Sequence, residues 1–277
     1  MLIVTQCLFS FKMFDESFLI FFIIIQPIYS VLMWATIHEG IHHNLFTNSV
    51  ANNLCSRLIA IIFGSNYLGL KYAHLSHHKY NRTPIERPDI KISNQNNLLR
   101  GLSFYFHILG GIYIKELIFP CLILLPKKIL VIINKQFKVT SIDYKVGKSI
   151  LEDQAFNSYR WDSLFIYTYI YVSAFLFYKN GNLDLFITFY LLRALVISLH
   201  DYSYHYGTNV DDILSAKNLR IPLSFFILHF NYHGTHHMNP GVPWYRLPTI
   251  TKKTNKETLF RGIVKQFKGI LNLEDLK

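Results

Sequence analysis

Three groups of histidines carry spacings suited to holding metal ions. His74-Leu-Ser-His77-His78 and His233-Gly-Thr-His236-His237 share one pentad pattern, and His38-Glu-Gly-Ile-His42 adds a pair four residues apart. On a helix, offsets of three and four place the imidazoles of each group on one face, within reach of a single ion. The chain has 13 histidines in 277 residues, and at that frequency such a pentad arises by chance only about 0.03 times. Two of them point to a shared purpose. A single histidine in an apolar protein is usually a hydrogen-bonded core residue, but eight in three one-face groups are not accounted for that way.

Eight imidazoles exceed what one four-coordinate ion uses, so two metals are expected. Neutral imidazole suits iron, copper, nickel and zinc alike. Placement narrows the choice: a polynuclear site at the mouth of a lipid-facing bundle acts on apolar substrate, and attack on unactivated C–H bonds needs a redox metal and oxygen. That favours iron, in an all-imidazole setting unlike the carboxylate-rich soluble di-iron bundles. His205 is the expected ninth ligand, with Asp201 four residues before it on the same helical face to hold its ring or a neighbour's. His200 is expected to be structural, His43 points about 100° away from the face of His42, and His107 and His229 stand alone. Glu39, Asp89 and Asn231 are candidates to bond the second ring nitrogen of a ligand. Pro240, Pro243 and Pro248, interleaved with Trp244 and Tyr245, predict an extended aromatic segment that walls an entrance or anchors at an interface.

These groups need elements to bring them together. With 51% hydrophobic and only 16% charged residues, the chain is more apolar than an ordinary soluble domain. Ser17 to Ile37 is uncharged and long enough to cross about 30 Å of hydrocarbon, and it delivers His38 and His42 at its end. Met1 to Phe11 is too short to span comfortably; it lacks a basic start and a cleavage site, so no removable leader is expected. Ser163 to Tyr178 and Leu183 to Leu199, parted by Lys-Asn-Gly-Asn, read as a hairpin of two spans. A shared site then excludes a single crossing by Leu54 to Leu70, which is expected to lie in the interface or re-enter, and one by Leu102 to Leu125, which is broken at Pro120 and expected to be an interfacial helix or none. The fold class expected is all-α: an integral membrane bundle of about three to four transmembrane helices with a helical cap, in one domain over residues 1–277, holding the histidine-rich dimetal site.

The formal net charge is +11. Lys71, Lys79, Arg82, Arg87, Lys91, Arg100, Lys217 and Arg220 lie on the histidine side, whereas the hairpin tip offers Lys179 alone, which places the histidines at the cytoplasmic face. A basic face suits anionic headgroups, an acidic carrier or a phosphate-bearing substrate; no nucleic-acid recognition motif is present. Cys7, Cys55 and Cys121 form neither a disulfide framework nor a zinc ribbon.

HEGIHH, HLSHHKYNRTPIERPD and FNYHGTHHMNPGVPWYRLP resemble the three histidine boxes of the membrane fatty acid desaturase superfamily, with a bacterial acyl-lipid continuation. The resemblance covers roughly Trp34 to Asp89 and Arg193 to Pro248. It implies that His38, His42, His74, His77, His78, His233, His236 and His237 hold two iron ions, with His205 matching an extra histidine after the last span. It also implies oxygen as co-substrate, an acyl chain on lipid, coenzyme A or carrier protein, and loss of hydrogens from adjacent methylenes. The first apolar segment is short for the family, so a truncated or divergent start is expected. No haem-binding His-Pro-Gly-Gly of a fused cytochrome is present, so electrons are expected from an external ferredoxin- or cytochrome-type donor with its reductase. Two other readings compete: a hydroxylase or carotenoid ketolase of the same architecture, and a non-catalytic metal transport or binding protein. The second calls for acidic or polar residues inside the spans, where Gln26 and Arg193 are nearly alone.

Overall fold

The structure, a computed structural model, describes residues 16–93, 95–252 and 256–276; Met1 to Phe11 lies outside them. Among the described residues the fold is helical, with no strand and only two isolated β-bridges, Ile90 with Leu271 and Arg220 with Thr258. Helix α1 (Glu16–Ile41) has 26 residues, about 39 Å at 1.5 Å per residue, and presents His38 in its last turn. The chain reverses at His43, which takes a left-handed φ of 59°, and α2 (Ser49–Phe63) returns along α1. Asn48 caps α2 by accepting from the Val50 and Ala51 amides. Gly40 permits the close approach, because a Cβ there would lie 1.9 Å from Ser56 Oγ.

The run Leu54 to Leu70 is not one segment. It ends at Gly64, and a new helix, α3 (Tyr67–Tyr80), starts from the cap of Asn66, which accepts from the Leu68 amide. Asn66 Nδ2 also donates to Tyr159 O and Ser163 Oγ, both at 2.9 Å. The breaking residues Gly64, Ser65 and Asn66 turn the second box back toward the first. Neither helix crosses alone: α2 has 15 residues and α3 has 14.

Helices α4 (Asn97–Phe106) and α5 (Ile112–Leu124) form one apolar stretch bent at His107–Gly111. The expected break at Pro120 is corrected: α5 runs through Pro120, and the bend sits at Gly110. There φ is +99° and a Cβ would meet Ala194 Cβ at 3.0 Å and its backbone at 3.1 Å, so glycine serves both the turn and the crossing. Helices α6 (Lys127–Lys135) and α7 (Ile142–Glu152) follow, α7 packing on α3. The hairpin is α8 (Phe156–Lys179) and α9 (Leu183–Ser203), closed over Asn180-Gly181-Asn182.

Two described helical stretches are long and apolar enough to cross a membrane by length and composition, Asn97–Leu124 and Leu183–Ser203. The first passes that test yet is bent, and its contacts with α9 and α8 double back. Phe104 packs against Tyr202 and Tyr206, 5.7 and 5.8 Å between ring centroids, at the site end of α9. Gly110 meets Ala194, eight residues before Tyr202 or about 12 Å deeper along α9. Leu117 O then accepts from Tyr167, and Leu124 O from Arg160, back near the start of α8. The stretch dips and returns, as the shared site requires. Helix α8 has 24 residues, but its tyrosines 159, 167, 169, 171 and 178 dilute its apolar character.

Two ion pairs fasten these pieces. Arg57 of α2 grips Asp162 of α8 through Nε and Nη2 at 2.8 and 2.7 Å. Arg82 and Asp89, 1% and 0% exposed, meet at 2.7 Å. Arg193, buried in α9, lies 4.4, 5.3 and 5.0 Å from the rings of Phe63, Tyr113 and Tyr190, a cation held by aromatic faces.

The re-entrant path predicts labelling from one side. In a background without native cysteines, single cysteines at Asn97 and Lys127 are expected to react with a membrane-impermeant maleimide from the same face, and one at Asn180 from the opposite face. Reaction of Asn97→Cys and Lys127→Cys from opposite faces contradicts this topology.

Candidate metal centre

Four separate pieces of chain bring imidazoles to one place. The end of α1 supplies His38 and His42, and the last turns of α3 supply His74, His77 and His78. The turn after α9 supplies His205, and the six-residue helix α10 (His233–Met238) supplies His233, His236 and His237. All nine histidines expected from the sequence are thereby collected, in two groups. His38, His42, His74, His78 and His236 form one, and His77, His205, His233 and His237 the other; in each, the ligand atoms lie within 4.8 Å of one another. The groups are neighbours, with the His78 and His237 rings stacked at 4.3 Å.

The Nε2 atoms converge. His74 Nε2 is 2.9 Å from His42 Nε2 and 3.0 Å from His78 Nε2, and His236 Nε2 lies 3.2 Å from His78 Nε2. In the second group, His205 Nε2 is 3.2 Å from His77 Nε2 and 3.0 Å from His233 Nε2, which is 3.1 Å from His237 Nε2. Nitrogens about 2.1 Å from an ion sit about 3.0 Å apart at right angles and about 3.4 Å apart in a tetrahedron. The observed spacings are those of ligand-shell edges. Neither ring nitrogen of His38 has a hydrogen-bond partner, and the Nδ1 atoms of His205, His233, His236 and His237 are equally buried and unpartnered. The donor set therefore fits metal ions.

The electrostatics agree. Burial first, and neighbouring histidines second, hold His74, His205, His233 and His236 well below the usual imidazole range. Burial likewise lowers His42 to about 4 and His78 to about 2, and pulls His237 down further. A neutral imidazole is the form that binds metal. His77 moves the other way: burial lowers it, but the Glu86 carboxylate 2.6 Å from Nδ1 outweighs burial and leaves it raised.

Compared with known protein families, residues 17–264 match the fatty acid desaturase family model. The chain belongs to the fatty acid desaturase family. No match was found among curated proteins or among solved structures. The match spans all three histidine boxes; the family implies an oxidoreductase, and the histidine cluster fits a metal site.

Around the cluster, several residues act differently from the sequence-based expectation. Asp89 binds no histidine: Oδ1 accepts from Arg82 and Oδ2 from the Gly207 amide at 3.0 Å. Asn231 donates to Leu219 O, and its Oδ1 is buried without a partner. Asp201 accepts from Trp34 Nε1 at 3.2 Å, leaving His205 Nδ1 unpaired. Arg82 and the Gly207 amide take the Asp89 carboxylate and the Trp34 indole takes Asp201 Oδ1, whereas Asn231 spends only its amide N–H. Glu39 does approach a ligand, 3.6 Å from His38 Nδ1, and accepts from the Trp244 amide at 3.0 Å.

The segment around Trp244 is not extended but coils into short turns over Trp244–Arg246 and Leu247–Ile250. Trp244 packs on Phe225 and His229. His200 bonds Tyr204 OH at 3.0 Å, and His43 stays outside both groups. Sequence reasoning missed Glu86, which lies nine residues beyond His77, a separation no helix-face rule brings together. It also missed Trp34 and Phe230, whose rings stand 6.4 and 4.9 Å from that of His38.

The depressed histidines set a sign for acid sensitivity. In the unfolded chain they protonate near pH 6.5, whereas the folded metal-free protein keeps them neutral to about pH 4 for His42 and about 2 for His78. Unfolding takes up protons in that window, so stability falls as pH drops below about 6.5, by about 1.4 kcal/mol per pH unit for each such histidine. His77 has the opposite sign, its contribution fading as pH rises through its folded value. Apparent Tm of the metal-free protein in detergent is expected to fall between pH 7 and 5; a flat or rising profile contradicts the neutral cluster.

Proposed function

We propose that the chain is an oxygen-dependent acyl desaturase whose nine histidines hold two iron ions. The observation that carries this reading is the division of the converging ring nitrogens into two adjacent groups of five and four in a chain of the desaturase family. Two redox-active ions there would supply the oxidising power to remove hydrogens from unactivated methylenes.

The protein's own part is positional. Ring stacking fixes the ligands: Phe230 lies 4.8 Å from the His233 ring and closes the apolar side of the cluster, where Trp34 also stands 6.2 Å from the His74 ring. Those aromatic walls keep water from the ligand nitrogens and present a surface compatible with an acyl chain. Asp201 orients Trp34, and Glu39 ties the Trp244 segment to the end of α1. The substrate is an acyl chain on membrane lipid, coenzyme A or a carrier protein. Electrons come from an external ferredoxin- or cytochrome-type donor with its reductase. The basic loops beside the boxes support a cytoplasmic metal face.

The test is lipid analysis of a host with a simple acyl profile. Expression is expected to yield chains poorer by two hydrogens, and His77→Ala and His236→Ala to abolish that product while the protein stays in the membrane. Chains gaining an oxygen instead assign a hydroxylase, and product retained by both variants contradicts the site.

A further inference from the structure

Within the four-histidine group, His205, His233 and His237 are 3%, 2% and 2% exposed and are held by packing. His77 is different: its side chain is 22% exposed. A ring at the rim of a cluster is free to swivel unless something grips it, and the grip is Glu86, whose Oε1 lies 2.6 Å from Nδ1. No other ring nitrogen of the nine has a carboxylate at hydrogen-bonding distance among the described residues; the next nearest approach is Glu39 to His38, at 3.6 Å.

Glu86 is also on a stiff mount. Its amide donates to Thr83 O at 2.9 Å, closing a turn directly after α3. Arg82 at the base of that turn has φ 61° and is locked by Asp89, by Thr208 O at 2.9 Å and by the Asp211 amide, which donates to Arg82 O. Thr208 and Gly207 belong to the turn that follows His205. The same buried ion pair therefore sets both the loop carrying Glu86 and the turn carrying the ligand opposite His77.

We propose that Glu86 is the positioning residue of the four-histidine metal position: accepting from Nδ1–H of His77, it fixes the tautomer that leaves the Nε2 lone pair facing the ion. This rests on the metal-centre reading above. A carboxylate on the outer nitrogen also raises ligand basicity, and removing such a partner typically weakens metal binding 10–100-fold. The effect belongs to one position only, because the five-histidine group does not include His77.

Anaerobic titration of the metal-free, detergent-solubilised full chain with Co(II), read by visible absorption, tests this. The wild type is expected to take up two ions. Glu86→Ala is expected to keep one at wild-type affinity and bind the other about 10–100-fold more weakly, the same ion that His205→Ala loses. Glu86→Gln, whose amide oxygen still accepts from Nδ1–H, is expected to recover most of the loss. Wild-type affinity for both ions in Glu86→Ala overturns the proposal. So does equal weakening of both ions, which marks a general loop role, or a Glu86→Gln variant no better than Glu86→Ala. A wild-type chain that takes up no ion overturns the metal-centre reading itself, and this proposal with it.

Discussion

Nine imidazoles packed nitrogen to nitrogen need a cation between them. Burial and mutual repulsion push the cluster, His77 apart, away from protonation. A neutral ring nitrogen either donates one N–H or offers one lone pair, so where one Nε2 lies about 3 Å from two others, N–H···N bonds cannot pair them all and lone pairs are left facing one another. A metal ion removes that conflict and converts it into binding energy, which is why convergence is a stronger statement than the number of histidines.

The rest of the bundle serves that convergence. Four ligand-bearing segments meet only if the chain returns to one side after each excursion, and each return has an identifiable cause. Gly40 lets α2 lie directly on α1, and Asn66 anchors the start of α3 to α8. Gly110 bends the α4–α5 stretch against α9 so that it re-enters. Arg82 and Asp89 then tie the loop after the second box to the turn holding His205. Removing one partner of such a buried pair leaves an uncompensated charge, typically at a cost of about 3–5 kcal/mol. Polar residues that a reading of the boxes alone assigns to the metal thus belong to the frame around it.

The sequence made the ligands legible because helical offsets of three and four are local, and a one-face pattern survives any tertiary arrangement. The hairpin was legible for the same reason, from two apolar runs around Asn180-Gly181-Asn182. Parity argues against a single crossing by Leu102 to Leu125, and the stretch does bend, although at Gly110 and not Pro120: proline announces itself in sequence, while the need for a glycine depends on Ala194 approaching from another helix. Asp89 bonds Arg82 and Asp201 bonds Trp34 instead of a histidine ring, because proximity to a box in sequence says nothing about which donor reaches a carboxylate first. Glu86 went unseen for the converse reason, since its approach to His77 is set by a loop whose closure depends on a buried ion pair.

The central claim is that this chain holds two neighbouring ions on histidine nitrogen. X-ray absorption on protein purified with iron, paired with metal analysis, measures it most directly. The account predicts two irons per chain with first shells of nitrogen or oxygen at about 2.1 Å and the multiple-scattering signature of several imidazoles. One ion or none per chain, or a shell dominated by sulfur or lacking imidazole scattering, contradicts it.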